Sequence, residues 1–161
     1  MSFIEKIIET SSSSFSIERM LAGGKMSSVL LVEDNSTFRK SLKEMLALRF
    51  PEMVIDEASD GEEALQKLEN TDPDLIFMDI RLPGKNGLEV TRIIKKTNPG
   101  VEVVILTSYD ITEYRVAAFN SGASHFFTKG NSGSDEIADF VRSALQRKGR
   151  AAEASHRAGK D

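Results

Sequence analysis

From Val29 onward, short apolar runs alternate with segments in which apolar residues recur every three or four positions. Val29–Val32, Leu75–Met78 and Val103–Leu106 are near-continuous apolar runs, whereas Met53–Ala58 and Ser124–Thr128 are more mixed. Between them, Phe38, Leu42, Met45 and Leu46 share a helical face in Ser36–Phe50, and Pro51 stops that helix. Ala64, Leu65 and Leu68 mark a second helix, opened by a capping box of Ser59 and Glu62. Val90, Ile93 and Ile94 mark a third, which ends near Asn98-Pro99-Gly100. A fourth spans about Asp110–Ser121 and closes at Gly122 as a left-handed cap. The last presents Ile137, Phe140, Val141, Ala144 and Leu145, and gives way to a polar tail from Gly149.

Repeated strand–helix units predict an α/β protein: a doubly wound, five-stranded parallel sheet with helices on both faces. The predicted strands cover about 29–33, 53–58, 74–79, 101–106 and 124–128. Strands one, three and four read as buried on both faces, and the more polar two and five suit the edges. The order 2-1-3-4-5 satisfies this and places the switch point between strands one and three.

At 161 residues the chain holds one domain plus short extensions, expected as a flexible segment 1–26, a domain 27–148 and a tail or linker remnant 149–161. Phe3, Ile4, Ile7 and Ile8 supply one or two apolar helical turns, after which Ser11–Ser14 and Gly23-Gly24 read as connectors. Met26 is a candidate natural start. The net charge of −4 argues against a basic nucleic-acid-binding face. No apolar stretch approaches the ~20 residues of a membrane span. With no signal-peptide pattern at the start, the cytoplasm is the expected compartment. The absence of cysteine excludes disulfides and thiolate metal sites.

Candidate chemistry lies where the apolar runs stop. Asp34, Asp79, Thr107 and Lys129 each stand at or beside the carboxyl end of a predicted strand, the edge at which open α/β sheets bind ligands. Singly, each is an ordinary cap, turn or surface residue. Together, Glu33, Asp34 and Asp79 crowd negative charge into one crevice, which calls for a compensating cation. With oxygen ligands and no His or Cys beside them, the ion should be hard, and Mg²⁺ fits best. Carboxylates, a hydroxyl and an ammonium around such an ion are the parts for phosphoryl transfer to a carboxylate.

Val32-Glu33-Asp34, Met78-Asp79-Ile80-Arg81-Leu82-Pro83-Gly84, Leu106-Thr107-Ser108 and Phe126-Phe127-Thr128-Lys129 resemble the signatures of the receiver domain of bacterial two-component response regulators. The resemblance covers about residues 27–147 and includes Asp60-Gly61 and Gly122-Ala123. It implies a flavodoxin-like (βα)5 fold. It also implies that Asp79 is the phosphoacceptor, and that Glu33, Asp34, Asp79 and the backbone carbonyl of Arg81 organise Mg²⁺. Lys129 would pair with phosphoryl oxygens and Thr107 would bond one of them. Phe126 stands where the family places a mobile aromatic ring, and drawing Thr107 toward the phosphoryl group would vacate space for it. Phe127, on the opposite face of the strand, suits the core.

The sequence departs from the family pattern at Gly130, and Arg81 and Tyr109 fill variable positions beside the phosphorylation site. His125 reads as an ordinary surface residue of an edge strand. The implied partners are a sensor histidine kinase or phosphotransfer protein, a downstream protein or an output domain, and a second phosphorylated copy. Neither nucleic acid nor membrane is an expected direct partner. Residues 117–123 resemble receivers that precede a helix-turn-helix domain, and 149–161 is too short to hold one. The implied chemistry is self-phosphorylation and self-dephosphorylation, with no external substrate. A haloacid-dehalogenase-like phosphatase would need a second Asp where Arg81 stands, and an FMN module would need a hydroxyl-rich phosphate loop after strand one, of which Asn35-Ser36-Thr37 beside two carboxylates is a poor version.

Overall fold

The alternation resolves into a βα repeat in a computed structural model that describes residues 27–159. Its elements are β1 (Ser28–Val32), α1 (Ser36–Arg49), β2 (Val54–Ala58), α2 (Gly61–Leu68) and β3 (Leu75–Met78). They continue with α3 (Gly87–Thr97), β4 (Glu102–Thr107), α4 (Thr112–Asn120), β5 (His125–Thr128) and α5 (Ser134–Ala158). The expectations for residues 1–26 lie outside the described residues. All neighbouring strands are parallel and their order is β2-β1-β3-β4-β5, as the apolar pattern predicts.

Alternate residues of each strand serve two cores. Leu30, Val32, Ile76, Met78, Val103, Ile105 and Phe126 face Ala64, Val90, Ile94 and Ala118 of α2, α3 and α4. Val29, Leu31, Leu75, Phe77, Val104, Leu106 and Phe127 face Leu42 and Leu46 of α1 and Ile137 and Val141 of α5. The edge strand β2 carries Asp56 and Glu57, ion-paired with Lys67 at 2.7 Å and Lys43 at 2.6 Å. Charges there discourage pairing with another chain.

The helix ends show where sequence reading was one residue off. At α2 the cap is Asp60, which accepts from the Glu63 N–H, while the Glu63 carboxylate accepts from the Ser59 N–H and hydroxyl. Ser59 and Glu62 therefore do not form the box. The helix starts at Gly61, so Asp60 is the cap and Glu63 stands three residues on, while Glu62 pairs with Lys85. At the end of α4, Gly122 has φ +100° and donates to the Phe119 carbonyl, and Ala123 donates to the Ala118 carbonyl. These paired bonds satisfy the last carbonyls and turn the chain into β5.

The largest difference is α5. It does not end at Gly149 but continues to Ala158. One glycine costs a helix about 1 kcal/mol, and the following Arg150-Ala151-Ala152-Glu153-Ala154 is built of good helix formers. Residues 150–159 are all exposed, so the segment packs on nothing, though it is helical through Ala158.

Candidate functional site

The sheet register brings the strand ends together. The Asp79 N–H donates to the Val32 carbonyl at 3.0 Å, which sets Asp79 beside the turn carrying Glu33 and Asp34. The Lys129 N–H donates to the Thr107 carbonyl at 2.8 Å, which ties the end of β5 to that of β4. Each functional group thus stands at the carboxyl end of its strand, where the chain turns toward a helix.

Carboxylate oxygens of Glu33, Asp34 and Asp79 all lie within 4.8 Å of one another. Glu33 and Asp79 are 4% and 6% exposed, while Asp34 is open to solvent. Lys129 Nζ lies 3.1 Å from Asp79 Oδ2 and is also paired with Glu33. Asp79 Oδ1 accepts from the Ile80 N–H at 2.8 Å, and Glu33 Oε1 accepts from the Asn35 N–H at 3.0 Å. Burial pushes the Glu33 carboxyl above its ordinary value, opposed by the Lys129 and Asn35 hydrogen bonds and reinforced by the charge of Asp79.

This donor set fits a hard divalent cation. Two of the three carboxylates, Glu33 and Asp79, pair with the one Lys129 ammonium, so the cluster holds more negative charge than that ammonium neutralises. All its donors are oxygens, and the exposed Asp34 leaves one side open for the waters that Mg²⁺ retains.

Thr107 is fully buried, and its hydroxyl accepts from the Tyr109 N–H at 3.4 Å. Arg81, two residues past Asp79, lays its guanidinium over the Tyr109 ring at 4.0 Å, and Tyr109 meets Tyr114 edge-on at 6.3 Å. Phe126 already lies inside at 5% exposure, so any movement of the ring starts from an inward position. Arg115 covers it at 4.6 Å, and the same guanidinium contacts Asp110 at 2.7 Å and the Thr128 hydroxyl at 3.5 Å. Phe127 packs in the opposite core, as expected. His125 is more than a surface residue: it packs on Phe127 at 4.4 Å and Phe140 at 4.7 Å.

Three residues around the site escaped sequence reading. Gly87 opens α3 so close to the end of β3 that a Cβ there would lie 1.8 Å from the Asp79 carbonyl oxygen. The available signal was a glycine at the first helical position after a turn-rich loop. Arg39 donates to the Glu33 carbonyl at 2.5 Å and to Glu57 Oε1 at 3.1 Å, bracing the acidic turn against β2. Phe38, which the helical spacing marks only as a core position, presents its ring to Lys129 Nζ at 4.5 Å.

A family model for the response regulator receiver domain matches residues 29–142. The transcriptional regulatory protein DegU of Brevibacillus brevis is 34% identical over 101 residues, covering 63% of this chain and 43% of its own. The chemotaxis protein CheY of Halobacterium salinarum is 38% identical over 101 residues, which is 63% of this chain and 82% of that protein. The chain spans about half the length of the transcriptional regulators and GacA response regulators it matches. Among solved structures, the response regulator TrrA of Thermotoga maritima in complex with Mg²⁺–BeF is 34% identical with a TM-score of 0.66, covering 74% of this chain and 99% of that one. A receiver domain from Methanospirillum hungatei reaches a TM-score of 0.73 at 24% identity, covering 79% and 99%, a likeness of fold.

Proposed function

Because the chain belongs to the response regulator receiver domain family and so serves phosphorylation-dependent signalling in a two-component system, we propose that Asp79 is its phosphoacceptor. The phosphoryl donor is a sensor histidine kinase or phosphotransfer protein. The observation that carries this reading is the buried Asp79 carboxylate, with one oxygen held by the Ile80 N–H and the other beside the Lys129 ammonium. Glu33 and Asp34 stand within ligand distance of the same carboxylate.

A carboxylate is a weak nucleophile, so rate comes from position and from neutralising the phosphoryl oxygens. The Ile80 N–H fixes the plane of the Asp79 carboxylate. As its oxygen bonds to phosphorus, the phosphorus–nitrogen bond of the donor's phosphohistidine breaks, and its electron pair leaves on the imidazole. Lys129 meets the charge on the phosphoryl oxygens as a compact point charge. Bound Mg²⁺, held by Glu33, Asp34, Asp79 and the Arg81 backbone carbonyl, would supply further neutralisation of the same oxygens. The domain promotes only its own phosphorylation and dephosphorylation. It then acts on a downstream protein, an output domain or a second copy of itself, with no nucleic-acid contact of its own. Among the described residues, no helix is long and apolar enough to cross a membrane. The receiver unit is assigned to 27–148, leaving 1–26 and 149–161 outside it.

Incubation with phosphoramidate and Mg²⁺ should place acid-labile phosphate on the protein. Asp34→Ala should weaken Mg²⁺ binding by at least about tenfold, since even outer-shell partners of a metal contribute that much, and should slow phosphorylation with it. Intact metal affinity and labelling in Asp34→Ala would move the ion elsewhere.

Thr107 is assigned the hydrogen bond that distinguishes the phosphorylated state, because a ligand shifts an equilibrium only through contacts improved in one state. Thr107→Ala should accept phosphate and lose most of the response. In wild type, Mg²⁺–beryllofluoride should change amide exchange across about residues 107–135, the stretch holding Thr107, α4 and Phe126. An equal change in Thr107→Ala would remove Thr107 from the switch.

A further inference from the structure

We propose that the ring of Phe38 is a positioning residue for Lys129, holding its ammonium at the phosphoryl site when the flanking carboxylates turn to the metal. The inference rests on the role given to Lys129 above; its geometry stands by itself. Lys129 Nζ lies 4.5 Å from the centre of the Phe38 ring and 3.1 Å from Asp79 Oδ2, and is paired with Glu33. Its side chain is only 12% exposed, so little water solvates this ammonium. Two of its partners are carboxylates, both of which belong to the cluster able to hold a cation. Once a divalent ion engages them, they can no longer be shared fully with Lys129.

The ring differs from them in kind. It is neutral, so it neither binds Mg²⁺ nor repels a phosphoryl group, yet its π face attracts an ammonium, most strongly where water is sparse. Phe38 is also well placed to stay still. Its N–H donates to the Asn35 cap at 3.0 Å, and its side chain packs on the core that the sheet makes with α1 and α5. The acidic turn is braced separately by Arg39 on the Glu33 carbonyl, so changing the ring leaves that turn supported.

Phe38→Leu keeps an apolar side chain at the position and removes the π face, whereas Phe38→Tyr keeps the face. With phosphoramidate and saturating Mg²⁺, Phe38→Leu should take up phosphate about three- to tenfold more slowly than wild type, the range a partly desolvated cation–π contact supports. Phe38→Tyr should stay near the wild-type rate, and Mg²⁺ affinity should be unchanged in both. In proton NMR without metal, the Lys129 ε-methylene should be shifted upfield by the ring current in wild type and Phe38→Tyr, and not in Phe38→Leu. If leucine packs too poorly for the fold to hold, Phe38→Met fills the space without a ring face and takes its place. Labelling of Phe38→Leu at the wild-type rate, equal slowing in Phe38→Leu and Phe38→Tyr, or an unshifted methylene in wild type would each overturn the positioning role. A wild type that takes up no phosphate would overturn the functional reading, and this inference with it.

Discussion

Asp79→Asn is expected to abolish phosphate incorporation from small-molecule donors and to leave the fold standing. The amide has nearly the shape of the carboxylate, so its carbonyl oxygen can still accept from the Ile80 N–H now bonded to Oδ1. It does not attack phosphorus, however, and it removes one of three carboxylates from the cluster. With its oxygen toward Ile80, the amide leaves its NH2 where Oδ2 met Lys129, a donor facing a donor, so Lys129 loses this partner and turns to Glu33. Removing negative charge from a crowded group offsets part of that loss, so stability should change by about 1 kcal/mol or less, typical of substitutions without a cavity or an orphaned charge. Acid-labile labelling and a thermal melt on the same sample check both halves. Wild-type labelling in the mutant would remove Asp79 from its role.

Gly87→Ala is expected to damage fold and site together. The added Cβ would lie 1.8 Å from the Asp79 carbonyl oxygen, 2.8 Å from its carbonyl carbon and 3.0 Å from Met78 Cγ. Two of these are backbone atoms, which cannot rotate aside. The Gly87 N–H also donates to the Ile80 carbonyl at 2.8 Å, so the helix start and the turn after Asp79 are locked at this distance. Relief requires moving α3 or the turn, and overpacking of this kind costs about 3 kcal/mol. Because a misplacement of about 1 Å can cost about a hundredfold in rate, phosphorylation should fall far more than stability alone explains. Gly133→Ala is the control. Nothing lies within 4 Å of its Cβ and its φ is −73°, so melting and labelling should stay close to wild type. A Gly87→Ala protein that melts and labels like wild type would show that the turn yields without strain.

Much of this fold was legible because burial writes itself into composition. Strands β1, β3 and β4 are covered on both faces and so are almost wholly apolar, which set them inside the sheet and left β2 and β5 for its edges. The strand-end groups were legible for the same reason, since Asp34, Asp79 and Lys129 interrupt apolar runs where the sheet ends. What stayed hidden is set by distance through space. Nothing near Phe38 in the chain announces Lys129, and its helical spacing is already accounted for by its contact with the α1 core. Gly87 looks like one more turn residue until α3 is docked against Asp79. The length of α5 was misread because Gly149 and a polar composition suggest an end. An exposed helix needs no apolar face when its own residues favour the conformation.

In the proposed reaction one carboxylate, Asp79, takes the phosphoryl group. Treating the wild-type protein with phosphoramidate and Mg²⁺, reducing the acyl phosphate with borohydride and mapping the product by mass spectrometry tests it most directly. Homoserine should appear at position 79, with Glu33 and Asp34 unmodified. Reduction product at Asp34 or Glu33, or at none of the three, would contradict it.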